Sequence, residues 1–197
     1  MIYYCARGIC RLLFVFLGLK KEGIDKIPRK GAVIVASNHM SNWDPIMVGI
    51  SLPRPVYFMA KVELFNNKIL GKLLTALHAF PVKRGAADRK AIRQALQVLE
   101  EGKVLGIFPE GARKKVLPGA QVQSGVALLA LKSGAPVIPV ACIGTDKAFP
   151  LGWFRPLLVK VGEPVDLDKY RGQKISSAVL EEVSEAIMQE INSLLDK

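Results

Sequence analysis

Cysteine is scarce in this chain, with three residues (Cys5, Cys10 and Cys142) among 197. The count is odd and no C-x-x-C pair occurs, which argues against a disulfide framework and a structural zinc site alike. Histidine is scarcer still: His39 and His78 are the whole supply. A multi-histidine metal centre is therefore disfavoured, and any catalytic imidazole must be one of the two. The glycine-rich signatures G-x-x-x-x-G-K-[ST] and G-x-G-x-x-G are missing, so the common nucleotide-binding loops are not encoded. A G-x-S-x-G elbow is missing too, because Gln123-Ser124-Gly125 has no glycine two residues before the serine. No repeat or low-complexity tract occurs.

Acidic residues are the other deficit. Asp plus Glu number 17 against 28 Lys plus Arg, a formal charge of +11. Such a surface attracts an anionic partner: nucleic acid, a negatively charged bilayer, or a phosphorylated or acyl-carrier substrate. The basic residues are not interleaved with aromatics and follow no helix-turn-helix or RNA-binding pattern, which sets nucleic acid aside. With 50% hydrophobic and 23% charged residues, the composition is that of one folded domain with a sizeable core.

Residues 2–19 are strongly apolar, yet Arg7 and Arg11 interrupt them and the unbroken run covers only Leu12 to Leu19. That is short of the roughly 20 residues of a bilayer span. Lys20-Lys21-Glu22 follows instead of a small-residue cleavage site, so a signal peptide does not fit. As a helix, the stretch sets Arg7 and Arg11 on one polar stripe among apolar residues, the pattern of a helix lying in a membrane interface. Seven basic residues against two acidic ones over residues 1–30 suit anionic headgroups. The chain divides into a membrane-associating helix, residues 1–22, and a main body, residues 23–197.

The body alternates strand and helix. Ala32–Ala36, Pro55–Met59, Phe80–Lys83, Val104–Phe108, Val137–Ile143 and Leu157–Val161 are short apolar runs that read as strands, several without alternation and so buried on both faces. Between them, helices are predicted from Asp44 to about Ile50, over 62–77, 88–101, 120–133 and 176–195. In the clearest, Ile92, Ala95, Leu96 and Leu99 share one face, with Asp88 placed to cap and Gly102 to close. The fold class is α/β: a largely parallel or mixed sheet flanked by helices, plus the N-terminal amphipathic membrane-surface helix.

Polar motifs fall where strands end, the usual address of sites in such sheets. In Asn38-His39-Met-Ser-Asn-Trp-Asp44-Pro45 a chain leaving a strand for a helix can fold the carboxylate onto the imidazole. Asp44 then fixes the tautomer and leaves the other ring nitrogen as a base. The alternative at this point is that Asp44 only caps a helix and His39 is an ordinary strand-end residue. Phe80-Pro-Val-Lys83-Arg84-Gly85 and Phe108-Pro-Glu110-Gly111-Ala112-Arg113 each end a strand in cations. Two such arginines can converge on one phosphate, whose geometry the guanidinium fork matches; solvated surface arginines are the alternative. Cys142, inside an apolar strand, reads as a core residue, and His78, with no acid nearby in sequence, as a structural or surface histidine.

These three segments and Val137-Ile-Pro139-Val140 occur in the order and approximate spacing of the four blocks of the glycerolipid acyltransferases. From about Gly23 to Val165 the chain resembles the bacterial 1-acyl-sn-glycerol-3-phosphate acyltransferases of that family. The resemblance implies that His39 is the catalytic base and Asp44 its partner. It implies that Arg84, Glu110, Gly111 and Arg113 bind the phosphorylated acceptor, and that Lys61 stabilises the oxyanion; Pro139 matches the fourth block. The implied reaction moves an acyl group from acyl carrier protein or coenzyme A to lysophosphatidic acid in phospholipid biosynthesis. It needs no metal or cofactor, and its expected place is the cytoplasmic face of the cell membrane, monotopic or peripheral. Ala112 departs from the threonine common at that position and removes a hydroxyl from the phosphate-binding turn.

Overall fold

The computed structural model describes residues 2–83, 88–111, 124–147 and 156–196. Its strands are β1 (Lys20–Glu22), β2 (Val33–Ser37), β3 (Val56–Lys61), β4 (Ala79–Val82), β5 (Val104–Ile107), β6 (Val137–Ile143) and β7 (Leu158–Val161). Its α-helices are α1 (Ile2–Phe16), α2 (Asp44–Ser51), α3 (Lys68–Ala76), α4 (Arg89–Glu100), α5 (Gly125–Ser133) and α6 (Ser177–Leu195). The strands form one sheet in the order β1-β7-β6-β2-β5-β3-β4. β6 and β7 pair antiparallel, and the other neighbours pair parallel, so the mixed sheet flanked by helices is the α/β class expected.

β2 lies at the centre because nothing in it needs water: Val33, Ile34, Val35 and Ala36 are all fully buried. Its pleat feeds two cores. Ile34 and Ala36 pack with Ala95 and Leu99 of α4, Val126 and Leu129 of α5, and Ile187 and Ile191 of α6. Val33 and Val35 face the other way, into a core with Phe14 of α1 and Met47 and Val48 of α2. A strand covered on both sides gains from apolar residues at every position, hence its unalternating sequence.

Two elements differ from the expected ones. α1 ends at Phe16, and Lys20–Glu22 joins the sheet as β1, paired with β7. Three charged residues carry no periodicity to announce a strand, and charge of this kind is what blunts a sheet edge. The helix expected over 62–77 divides into a 3-10 turn, Val62–Phe65, and α3, because Asn67 caps a fresh start by accepting from the Ile69 and Leu70 amides. In β6, Pro139 occupies an interior strand, where a missing N–H is ordinarily costly. Its carbonyl accepts from Gly162 N at 2.9 Å, one residue beyond the end of β7, so the absent reciprocal bond falls at the margin of the ladder. Gly162 has to be glycine there, since a Cβ would come within 2.8 Å of the Pro139 ring.

Candidate active site

β2 delivers His39 two residues past its last strand residue, at the carboxyl edge of the sheet. The strand end is pinned before the imidazole appears. Asn38 donates from Nδ2 to the Cys142 carbonyl at 2.9 Å and accepts from the Cys142 amide at 2.7 Å, a two-bond clamp from β2 to β6. Burial raises the Cys142 thiol well above its ordinary range, so it is a packed core residue and not a thiolate nucleophile.

His39 Nδ1 lies 3.0 Å from Asp44 Oδ2. That same oxygen accepts from the amides of Met40 at 2.6 Å and Ser41 at 2.7 Å. Asp44 is the first residue of α2, yet its Oδ1 is buried without a hydrogen-bond partner among the described residues and its bonds run through Oδ2. It turns backward over the loop it follows, which removes the reading of Asp44 as a mere cap. Pro45 holds the first turn, and the positive end of the helix dipole favours the carboxylate at that position. Asp44 is fully buried and His39 nearly so, at 6% exposure. Nδ1 is committed to the carboxylate, which leaves Nε2 as the nitrogen that can take a proton.

The ring is held on its face as well. Phe108 stacks on His39 with centroids 4.3 Å apart and planes 26° from parallel, and Phe58 of β3 stacks on Phe108 at 5.9 Å. Room for Phe58 comes from Gly106, where a Cβ would stand 2.2 Å from the Phe58 ring. This aromatic file escaped the sequence reading; the available signal was an aromatic directly before each of the Pro-Glu-Gly and Met-Ala-Lys segments.

Glu110 follows in a turn closed by the Gly111 amide donating to the Phe108 carbonyl at 3.0 Å. Gly111 takes a left-handed φ of 64°, the conformation glycine adopts without strain. Burial raises the Glu110 carboxyl above its usual range; a hydrogen bond from the His39 backbone and the His39 side chain lower it in part, and Asp44 adds to the rise. The carboxyl therefore faces the backbone of His39 itself. Lys61 ends β3 at the same edge of the sheet, two strands from β2 and so about 10 Å away laterally; its ammonium pairs with Glu63 at 3.2 Å. Arg84, Ala112 and Arg113 lie outside the described residues, as does any convergence of the two guanidinium groups.

His78 sits apart from this site. It stands at the opposite end of β4 with a left-handed φ of 64°, its ring stacked between Tyr3 of α1 at 4.3 Å and Tyr57 of β3 at 4.5 Å. It is the structural histidine of the two, a rivet between α1 and the sheet.

Comparison with known proteins identifies the family. Residues 18–143 match the Acyltransferase family. The chain is 30% identical over 198 residues to the 1-acyl-sn-glycerol-3-phosphate acyltransferase of Bacillus subtilis, covering all of this chain and 98% of that protein. It is 29% identical to the enzyme of the same name from Streptococcus pneumoniae, over 98% of this chain and 73% of that one. The crystal structure of the 1-acyl-sn-glycerophosphate (LPA) acyltransferase PlsC from Thermotoga maritima superposes with a TM-score of 0.69 at 28% identity, over 97% of this chain and 78% of that chain. With a histidine and carboxylate locked together at the carboxyl edge of the sheet and a family match across most of its length, this chain belongs to the acyltransferases.

Proposed function

We propose that the protein moves a fatty acyl group from an acyl thioester, carried by acyl carrier protein or coenzyme A, to the sn-2 hydroxyl of 1-acyl-sn-glycerol 3-phosphate, forming phosphatidic acid. The observation that carries this reading is the Asp44–His39 pair, with one ring nitrogen held at 3.0 Å by the carboxylate and the other left for a substrate proton. Nε2 takes the proton of the acceptor hydroxyl as its oxygen attacks the thioester carbonyl. Asp44 stabilises the imidazolium that forms. The tetrahedral oxyanion requires donors, and Lys61 is assigned that role by the motif it shares with the family. As the carbon–sulfur bond breaks, the imidazolium returns its proton to the thiolate, and the ester and free thiol leave.

Acceptor choice is assigned to Arg84 and Arg113 at their motif positions, with Glu110 and Gly111 shaping the turn that leads to Arg113. The names of the relatives support a lysophosphatidate acceptor. The reaction is placed at an anionic membrane surface, on the cytoplasmic side. Among the described residues no helix is long and apolar enough to cross a membrane, while α1 exposes Ile9, Leu12 and Phe16. Its apolar outer face and the net charge of +11 together support monotopic or peripheral attachment.

The test is an acceptor panel. Purified protein is given acyl-coenzyme A or acyl carrier protein thioester with lysophosphatidate, glycerol 3-phosphate or a neutral lysolipid, and lipid products are resolved. Phosphatidate from lysophosphatidate, lost in His39→Ala, is the expected result. Thiol release equal in wild type and His39→Ala overturns it in favour of a lipid-binding protein without catalysis, and preference for another acceptor overturns the substrate assignment.

A further inference from the structure

α1 is not the whole of the apolar outer surface. α3 buries one residue, Gly71, and turns its large side chains outward: Ile69 is 83% exposed and Leu73 47%. These two are four apart and share a stripe, beside which Lys68 and Lys72 form a second stripe at the same spacing. The preceding 3-10 turn adds exposed Leu64. Turn and helix form one hairpin, for a Cβ on Gly71 would lie 3.0 Å from the Phe65 carbonyl oxygen. A nine-residue helix is marginal without packing, and this one directs its apolar residues away from its own core.

The topology puts this hairpin on a definite face. β2→β3 and β3→β4 are parallel crossovers that step along the sheet in the same direction, so right-handed connections lay α2 and α3 on the same side. That side is the one α1 packs on, through Phe14 in the core it shares with α2. The uncovered residues of α1 and those of α3 thus belong to one layer of the molecule.

We propose that α3 is a second lipid-contacting element, inserting Ile69 and Leu73 into the same anionic monolayer that α1 enters while Lys68 and Lys72 meet headgroup phosphates. The proposal rests on the membrane-surface reading above and extends it to a second point of contact. Two contacts fix the orientation of a body that one helix leaves free to swivel. The hairpin follows directly from Lys61, so the fixed orientation includes the edge of the sheet where the acyl group is exchanged. An apolar stripe flanked by lysines also suits an acidic carrier protein, but continuity with the apolar layer of α1 favours lipid.

Sedimentation with phosphatidylglycerol vesicles and with phosphatidylcholine vesicles tests this on three proteins: wild type, Ile69→Ser/Leu73→Ser and Leu12→Ser/Phe16→Ser. Turnover is measured in parallel with acyl-coenzyme A and with acyl carrier protein thioester as donor, and a short-chain lysophosphatidate below its micelle concentration as acceptor. The α3 variant is expected to lose about tenfold in partition onto the anionic vesicles, as befits two removed apolar anchors, while keeping its circular dichroism and its turnover of the monomeric acceptor. Unchanged partition of that variant beside a loss in the α1 variant overturns the role of α3 and leaves the membrane reading standing. Wild type that ignores anionic vesicles overturns both. Unchanged partition with turnover lost only when acyl carrier protein is the donor assigns the face to that protein and also overturns the proposal.

Discussion

Asp44 gathers three donors on one oxygen: the His39 ring at 3.0 Å and the amides of Met40 and Ser41 at 2.6 and 2.7 Å. The carboxylate therefore sets the loop conformation and the imidazole orientation together. Asp44→Asn keeps an acceptor for the amides but cannot balance an imidazolium. Turnover is expected to fall about 10²- to 10⁴-fold, as for His39→Ala, with little change in the melting curve of the His39 variant. Glu110 makes a prediction of opposite sign for stability. Its carboxyl is raised mainly by burial, so the folded state holds that proton more tightly than the unfolded chain. The associated stability is present in acid and is lost as pH rises past the ordinary glutamate range of about 4.3 and through the raised folded value. Glu110→Gln, which still accepts from the His39 amide, should then melt higher than wild type at neutral pH, with the gain vanishing in acid; a lower melting temperature at neutral pH would refute it. His78 is shifted down, first by burial and then by Lys103. The unfolded chain binds its proton more readily, so stability should decline as pH falls through about 6.5. His78→Asn, which tolerates the left-handed backbone, should flatten that decline in thermal melts between pH 7.5 and roughly 5.5.

At the scale of elements, the site depends on strands that contribute no chemistry. Gly106 of β5 admits Phe58 of β3, Phe58 stacks on Phe108, and Phe108 on His39. Gly106→Ala places a methyl group inside the Phe58 ring. Overpacking of this kind costs about 1–3 kcal/mol, and the displaced ring should also lower kcat with KM for the thioester little changed; chemical denaturation and steady-state kinetics on one preparation read both. This chain of contacts was not legible in the sequence, because a stack between β2, β3 and β5 joins residues far apart along the chain. The apolar strands β2, β5 and β6 were legible, since a strand buried on both faces writes its burial into every residue. β1 was not, its three charged residues being placed by an edge pairing with β7.

For the whole molecule, the excess of basic residues and the apolar layer over α1 and α3 act on different ranges. Charge draws the protein to an anionic surface over about a Debye length, ~10 Å at 0.1 M salt, whereas apolar contact holds it once there. Association with phosphatidylglycerol vesicles should therefore weaken as sodium chloride rises from about 0.05 to 0.5 M, while its residue at high salt tracks the apolar side chains of α1. Stopped-flow mixing with vesicles would show the salt dependence chiefly in the association rate; a salt-independent rate would remove the electrostatic step.

By itself the sequence determined the alternation of strand and helix and the burial of the central strands, and it put Asp44 within reach of His39, because each is local: periodicity, turn chemistry and a separation of five residues. What it left open was whether Asp44 serves a helix or an imidazole, whether His78 is structural or a surface residue, and what supports the ring. The tertiary structure decided these, through the clamp of Asn38 on Cys142, the Tyr3–His78–Tyr57 stack and the aromatic file from Gly106 to His39. All three are contacts between segments that only the parallel sheet, with its long crossovers, brings side by side.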